Sequence, residues 1–438
     1  MSFRIQSTTE CMENTGGLVL AGEISRACGL ASIRSMKQFC IKALISMFGL
    51  LVQGRTSFEE IALYRKDKLF QSALNLTRVP AKETLRLYLE KLARLGSAIP
   101  TAIRACNARL LSKVTITPLA IDTRHYIPVD VDVSTMDNSK SHKEGVSRTY
   151  MGFDGYAPIF SYIGNEGYML DCELREGSQH CQKDTPEFLK RNLETIETLP
   201  LSHPVLFRLD GGNDAIDTIL PLIGTGRFFL IKRNIRREQT EYWLDIAETF
   251  GKPEHPREGK TVYSGTITKA HPKAIPDMPD LDIVFQVTVR TIDKKGADYL
   301  VPDVEIETWW TNLYESPEAI IKAYHDHGTS EQFHSELKTD MDVERLPSGK
   351  MSVNSMLLTL SMFAFNTLRF IGQSALSLPE LLPVQTDVGR KRIRKVISDL
   401  ICISCKFVRH GRQLILRVFE DNPWLPVFRH LYTAFQRL

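Results

Sequence analysis

Helical spacing of apolar residues dominates the first quarter of the chain. In "RTSFEEIALYRKDKLFQSALNL", Thr56 or Ser57 can cap a helix whose first turn carries acidic residues. In "VPAKETLRLYLEKLARLG", Pro80 stands near the start of a helix and Gly96 marks its stop. Residues from about 20 to 112 are therefore predicted to be helical. Short helices with basic exposed faces suit DNA binding, and an ordinary helical domain fits the pattern equally well.

The pattern changes to strands near residue 113. The runs "VTITPLAIDT", "HYIPVDVDVST", "YAPIFSYIG" and "GYMLDCELREG" are rich in β-branched and aromatic residues and are separated by turns. They are followed by a helix ("TPEFLKRNLETIETL"), a buried-type strand ("PVLFRLD"), a second helix ("NDAIDTILPLIG") and a further strand ("RFFLIKRN"). Strands followed by alternating strands and helices predict a mixed α/β domain.

The second half of the chain is β-rich at first and then helical. Strand patterns fill residues 240 to 312, and helices resume at "SPEAIIKAYHDH" and continue through "NSMLLTLSMFAFNTLRFIG". The patterns divide the chain into five predicted segments, which are helical (1–112), mixed α/β (113–235), β-rich (236–312), helical (313–375), and basic and helical (376–438).

Composition adds a clue about partners. A chain of 438 residues is too long for one core, and 43% hydrophobic with 24% charged residues is ordinary for a soluble enzyme. The net charge is only +3, but residues 388–417 carry nine Lys or Arg against one Asp. A local excess of that size suits a polyanion.

Cysteines and apolar runs argue against a secreted or membrane protein. Of eight Cys, Cys402 and Cys405 have ligand-like spacing, but no second pair completes a zinc set, so two buried thiols are the favoured interpretation. The N-terminus is polar, and "MLLTLSMFAFNTLRF" falls short of the roughly 20 residues that a membrane span needs. We expect a cytoplasmic protein with reduced thiols.

Two strand patterns place carboxylates where they could bind a cation. In "YIPVDVDVST", Asp130 and Asp132 share one strand face, and their mutual repulsion would be relieved by a cation, although a solvated acidic face is the simpler alternative. In "PVLFRLDGGND", Asp210 stands at the carboxyl end of a strand and can reach into a cleft. Taken alone, Asp210 and Gly211 also make an ordinary turn.

A third constellation lies in "AYHDHGTSEQFHSELKTD". Tyr324, Glu331 and Lys338 are spaced by seven and would form a single stripe on an unbroken helix, with His327 and His334 on the same stripe. A helix end at Gly328 followed by a new cap would separate them. The fragment Glu331-x-x-His334 also occurs in di-iron bundles, but no second copy is present.

Together these motifs resemble the DDE transposases of bacterial insertion sequences, in particular the group with a Tyr-Arg-Glu-Lys signature. The signature spacing is met as Tyr324-x2-His327-x3-Glu331-x6-Lys338, with His in the place of Arg. The stretches "DNSKSHKEGVSRTYMGFDGYAPI", "LFRLDGG", "DVERLPSGK" and "FNTLRFIG" also resemble this family, over about residues 55 to 420.

The resemblance implies a ribonuclease-H-like α/β catalytic domain with a mixed sheet, interrupted by the β-rich insertion (236–312). Its first part would be 113–235, and 313–375 would carry the catalytic helix. The catalytic, metal-binding carboxylates would be Asp132 (Asp130 as the alternative), Asp210 and Glu331. They would hold two Mg²⁺ or Mn²⁺ ions about 3.5–4 Å apart for cleavage and transfer of DNA strands.

The resemblance also implies partners. Segment 1–112 would bind the element ends and 376–438 would be a flanking basic region, and the protein would act on double-stranded DNA of the terminal inverted repeats and of the target. A homodimer on DNA, a bacterial cytoplasmic and nucleoid-associated location, and no membrane partner are expected. The candidate DNA contacts are Tyr324, His327, Lys338, Lys232, Arg233, Arg236 and Arg237.

Two alternatives to an active transposase stay open. One is a catalytically weakened relative that binds element ends, and the other is a metal-dependent nuclease of the same fold. His327 bears on the first, because His near pH 7 is mostly neutral and offers fewer donors to phosphate than Arg.

Overall fold

A computed structural model describes residues 12–33, 38–276, 278–293, 295–385, 387–411 and 413–438, without the side chains of Gln38, Phe39, His327 and Thr329. The N-terminal region is helical, as predicted. Its helices are α1 (Leu18–Ala27), α2 (Gln38–Leu51), α3 (Lys68–Ala73), α4 (Lys82–Ala93) and α5 (Ala98–Leu111). Ser57 caps a 3-10 turn over Phe58–Tyr64, where the side-chain oxygen accepts from the backbone amide of Glu59. The cap was predicted, but the longer α-helix after it was not formed.

The centre of the protein is a large mixed sheet. Its first elements are β1 (Leu119–Ile121), β2 (Arg124–Val133), β3 (Met136–Asp137), β4 (Ser147–Arg148), β5 (Asp154–Tyr156), β6 (Ile159–Ile163) and β7 (Tyr168–Glu173). Next come α6 (Thr185–Glu197), β8 (Val205–Leu209), α7 (Ile216–Gly224), β9 (Phe228–Arg233) and α8 (Thr240–Phe250). Strands β3, β5 and β4 form a separate small sheet.

The β-rich segment extends this sheet. It comprises β10 (Lys252–Arg257), β11 (Lys260–Lys269), β12 (Leu281–Ile292) and β13 (Asp298–Thr311). Strand β13 pairs antiparallel with β9, so the strand order across the sheet is β10-β11-β12-β13-β9-β8-β2-β6-β7. Strand β8 is parallel to both β2 and β9, and the other neighbours are antiparallel. The predicted α/β class is confirmed.

The chain then returns to helices. They are α9 (Pro317–His325), α10 (Ser330–Ser335), α11 (Met351–Leu376), α12 (Ile393–Val396) and α13 (Leu425–Phe435). A hairpin of β14 (Cys405–His410) and β15 (Gln413–Val418) interrupts the C-terminal region, which was predicted to be helical. Gly411 has a φ of +58° at the turn, and the alternating sequences "CKFVRH" and "QLILRV" are typical of strands.

Helix α11 packs the N- and C-terminal regions into one core with its own apolar face. At 26 residues it is long and apolar enough to span a membrane by length and composition, and 94% of its most apolar window is buried inside the protein. The helix is therefore longer than the apolar run "MLLTLSMFAFNTLRF" from which a length below that of a membrane span was expected. Polar residues interrupt the run but not the helix, because they bond inside the core, as Asn366 does to the side chain of Asn107 and the carbonyl of Met169 (both 2.7 Å).

Candidate active site

Asp132 and Asp210 lie at the ends of adjacent parallel strands. In the register of β2 and β8, Val131 pairs with Leu209, and Asp132 and Asp210 are the residues that directly follow this pair. Burial and the negative charges of Asp210 and Asp132 raise the pKa of Tyr324 far above its ordinary range. A single tyrosine is therefore within the electrostatic reach of both carboxylates, which places the two acids and Tyr324 in one site.

Asp130 lies on the same strand face as Asp132 but is held in a buried ion pair. Its carboxylate receives two hydrogen bonds from Arg208 of β8 (2.6 and 2.8 Å), and both side chains are almost fully buried. The remaining guanidinium nitrogen of Arg208, Nη1, donates to the carbonyl of Ala323 in α9 (2.6 Å). The solvated acidic face considered for this strand is wrong, because Asp130 is the buried half of an ion pair that ties β2, β8 and α9 together.

The segment with the Tyr-x2-His-x3-Glu-x6-Lys spacing is not one unbroken α-helix. Helix α9 ends at His325, a 3-10 turn covers Asp326–Thr329, α10 follows, and Glu336–Asp340 forms a π-helical turn. Ser316 caps α9, as its position before Pro317 suggests. The winding of the helix changes three times within 24 residues, from Pro317 to Asp340, so strict heptad spacing does not by itself define a common face here.

Both ends of this segment nevertheless face the end of β2. Nζ of Lys338 donates to the carbonyl of Thr135, two residues beyond β2 (2.7 Å). Burial lowers the pKa of Lys338, and the charges of Glu344 and Asp132 oppose that shift. Tyr324 at one end and Lys338 at the other therefore flank Asp132. The side chain of His327, the departure from the family signature, lies outside the described residues.

Glu331 is exposed on α10. Within the described residues it has no hydrogen bond or ion pair, and no group of three or more His, Cys, Asp or Glu side chains is close enough together to hold a metal ion. The structure thus brings together Asp132 and Asp210 but not the full predicted triad. Two carboxylates still fit Mg²⁺, which keeps several waters and is commonly held by one or two carboxylates plus substrate phosphate.

His334 is a part of the site that was not among the predicted site residues. Its ring is buried one turn after Glu331, with Nε2 3.3 Å from Oδ2 of Asp132 and Nδ1 3.2 Å from the hydroxyl of Tyr162. The sequence places His334 on the helical stripe of Glu331 and matches the spacing Glu331-x-x-His334 to di-iron sites, but neither pattern distinguishes a ring that faces β2 from one that faces solvent.

Three further residues near the carboxylates were not predicted. Asn213 donates to Oδ1 of Asp210 (2.7 Å). The thiol of Cys181 donates to the carbonyl of Gly212 (2.9 Å), and burial and the charge of Asp210 raise its pKa. Tyr150 donates to the carbonyl of Val133 (3.3 Å). Tyr150 belongs to the family-like stretch "DNSKSHKEGVSRTYMGFDGYAPI", which was the available signal.

Buried ion pairs hold the segment that carries Glu331. Glu336, in the π-helical turn, pairs with Arg369 of α11 (2.9 Å) and with Arg390, and all three are mostly buried. Arg392 pairs with Asp340 of the same turn (2.8 and 3.0 Å). Part of the basic run 388–417 therefore forms ion pairs inside the protein and anchors this segment.

The basic residues that follow β9 differ in accessibility. Arg233 is buried against Trp243 and Trp310 and pairs with Glu238, a position that argues against direct DNA contact. Lys232 is partly exposed and pairs with Glu307 (2.8 Å). Two further candidates, Arg236 and Arg237, are exposed beside a cleft of about 370 Å³ that His271 and Lys273 also line. A larger cavity, of about 660 Å³, is lined by residues of the N- and C-terminal regions and by none of the candidate carboxylates.

Comparison with known proteins places the chain in a family. A cryo-EM structure of a piggyBac transposase synaptic complex with hairpin DNA aligns over 97% of this chain and 81% of that chain, with 8% identity and a TM-score of 0.42, too low to support an argument about function. No curated protein gives a significant match. The family model described as transposase DDE domain group 1 matches residues 41–438. Because that match covers far more than half of the chain, the protein belongs to the transposase DDE domain family.

Proposed function

We propose that the protein is the transposase of a bacterial insertion sequence and that it cuts and joins DNA strands at the element ends by metal-dependent catalysis. The observation that carries the proposal is the side-by-side placement of Asp132 and Asp210 at the ends of adjacent parallel strands. Membership of the DDE transposase family supports phosphodiester chemistry in general. The order strand-Asp132, strand-Asp210, helix-Glu331 supports a ribonuclease-H-like catalytic domain interrupted by a β-rich insertion.

Asp132 and Asp210 would supply oxygen ligands to Mg²⁺ or Mn²⁺, with two ions proposed for the full reaction. A metal ion held there would supply Lewis-acid chemistry, that is, activation of an attacking oxygen and stabilisation of a leaving oxygen at phosphorus. Glu331 would be the third ligand. Its support is indirect: residues three apart on a helix are neighbours, and His334 on the same helix contacts Asp132.

Tyr324 and Lys338 would contact the DNA backbone beside the cut, one through its hydroxyl and one through its charge. His327 would take the place of the Arg of the family signature. Lys232, Arg236 and Arg237 would contact DNA farther along, and Arg233 would support them from within the fold, since it is buried.

The remaining assignments follow from the family resemblance. Segment 1–112 would bind the terminal inverted repeats, and 376–438 would be a basic flanking region. Two protomers would hold two ends, in the bacterial cytoplasm. The partner class is double-stranded DNA of the element ends and of the target.

The test is strand cleavage and transfer by purified protein with Mg²⁺ or Mn²⁺ and DNA that carries the element's terminal inverted repeats. Joining of cut ends to target DNA is expected. Cutting of any DNA without joining would favour a metal-dependent nuclease of the same fold. Binding of the ends without cutting would favour a catalytically weakened relative.

A further inference from the structure

His334 occupies a buried position between two aromatic rings and a candidate metal ligand. Its ring centroid lies 5.2 Å from that of Phe160 and 5.3 Å from that of Tyr162, and its side chain is 5% exposed. Phe160 and Tyr162 lie on β6, the antiparallel neighbour of β2, where Phe160 pairs with Asp132 itself. The imidazole is therefore held on two sides by the strand next to Asp132.

The hydrogen bonding of the ring fixes which nitrogen faces Asp132. Nδ1 lies 3.2 Å from the hydroxyl of Tyr162, which is buried and has no other hydrogen-bond partner in the described part of the chain. A tyrosine hydroxyl that donates to Nδ1 leaves the imidazole proton on Nε2. Nε2 then points its N–H towards the carboxylate of Asp132.

The contact between Nε2 and Asp132 is close but not aligned. The distance to Oδ2 is 3.3 Å, yet the geometry is not that of a hydrogen bond, and Nε2 has no hydrogen-bond partner among the described residues. The other oxygen of Asp132, Oδ1, accepts from the backbone amide of Val133 (2.7 Å). A buried N–H without an acceptor costs free energy, so a small rotation of the Asp132 carboxylate onto Nε2 is favourable.

We propose that His334 is a positioning residue for Asp132: its Nε2–H holds Oδ2 in the orientation that binds the catalytic metal ion. The inference rests on the proposed function, in which Asp132 is a metal ligand. The same contact fixes helix α10, and with it Glu331, at a set distance from β2. His334 thus links two of the proposed ligands without being a ligand itself.

Two substitutions of His334, each of which replaces only one of the two ring nitrogens, separate this role from simple packing. The side-chain nitrogen of Gln lies about where Nε2 lies and can donate to Asp132. The side-chain carbonyl oxygen of Asn reaches about where Nδ1 lies and can accept from the Tyr162 hydroxyl. His334→Gln keeps a donor to Asp132 and removes the partner of Tyr162, whereas His334→Asn does the reverse. His334→Gln leaves the buried Tyr162 hydroxyl without a hydrogen-bond partner, which can destabilise the fold. A second variant, Tyr162→Phe with His334→Gln, removes that hydroxyl and so avoids this cost.

Two readouts are measured on each folded variant: Mn²⁺ binding by the protein, followed by electron paramagnetic resonance, and the Mg²⁺ concentration that gives half-maximal cutting of terminal-repeat DNA. Removing the hydrogen-bond partner of a metal ligand typically weakens metal affinity about 10- to 100-fold. We expect a loss of that size in both readouts for His334→Asn and a loss of less than about 5-fold for the Gln variants.

Asp132→Ala separates failure of this inference from failure of the proposed function. If Asp132→Ala still cuts, the assignment of Asp132 is wrong and the inference falls with it. If Asp132→Ala is inactive but His334→Asn binds Mn²⁺ as wild type does, the positioning role is wrong and the proposed function stands. Equal losses for the Asn and Gln variants in cutting, with Mn²⁺ binding unchanged, would also overturn the role, because they would show that His334 acts on the DNA.

Discussion

The buried pair of Asp130 and Arg208 allows a prediction that separates structural from catalytic carboxylates on β2. Asp130→Asn removes the negative charge while keeping the shape of the side chain. Arg208, 3% exposed and joined to Asp130 by hydrogen bonds of 2.6 and 2.8 Å, is then left as a buried charge without its partner. Breaking a buried pair in this way costs about 3–5 kcal/mol. We expect a loss of this size in the free energy of unfolding, measured by urea denaturation with circular dichroism.

Two controls sharpen the test. Asp132→Asn, two residues along the same face, should change the free energy of unfolding by less than about 1 kcal/mol but abolish DNA cutting. The double variant Asp130→Leu with Arg208→Met removes both charges, so it should recover most of the stability lost in Asp130→Asn. If the free energy of unfolding of Asp130→Asn lies within about 0.5 kcal/mol of that of wild type, the pair does not hold β2, β8 and α9 together.

Three further predictions concern Glu331, His327 and His271. Glu331→Ala should abolish cutting while DNA binding, measured by gel shift, and stability persist, because the side chain is exposed; normal cutting would show that another residue is the third ligand. His327→Arg should keep or increase cutting, because Arg carries a fixed charge and a forked set of donors for phosphate, and a large loss would reveal a separate role for His. Burial lowers the pKa of His271 below its ordinary 6.5, so the unfolded chain takes up this proton first as the pH falls, and stability falls below about pH 6.5. His271→Gln should flatten that part of a plot of unfolding midpoint against pH, and an unchanged slope would assign it to other groups.

The positions of strands β2 and β8 along the chain can be predicted from the sequence because the signals for them are local. Alternation in "YIPVDVDVST" and the apolar run before Asp210 are properties of neighbouring residues, and both strands form where expected. Asp132 and Asp210 then come together because parallel strands place their carboxyl ends at the same edge. Their catalytic role stays a prediction.

The partners of these residues depend on long-range contacts that no local pattern reports. Arg208, which pairs with Asp130, lies 78 positions from it in the chain. The burial of His334 depends on its packing against β6, and the helical spacing of its segment fits a solvated face equally well. Likewise, Arg390 and Arg392 belong to the basic run 388–417, whose charge suits a polyanion, but they pair with Glu336 and Asp340.

The central claim, that Asp132 binds the catalytic metal ion, can be tested by changing the ligand atom. Asp132→Cys replaces a carboxylate oxygen with a thiolate, which Mg²⁺ binds poorly and Mn²⁺ tolerates better. Asp137→Cys, on an exposed residue five positions along, is the matched control and should cut with either ion. We predict that Asp132→Cys fails to cut terminal-repeat DNA with Mg²⁺ and regains cutting with Mn²⁺. Full cutting with Mg²⁺ would contradict the claim.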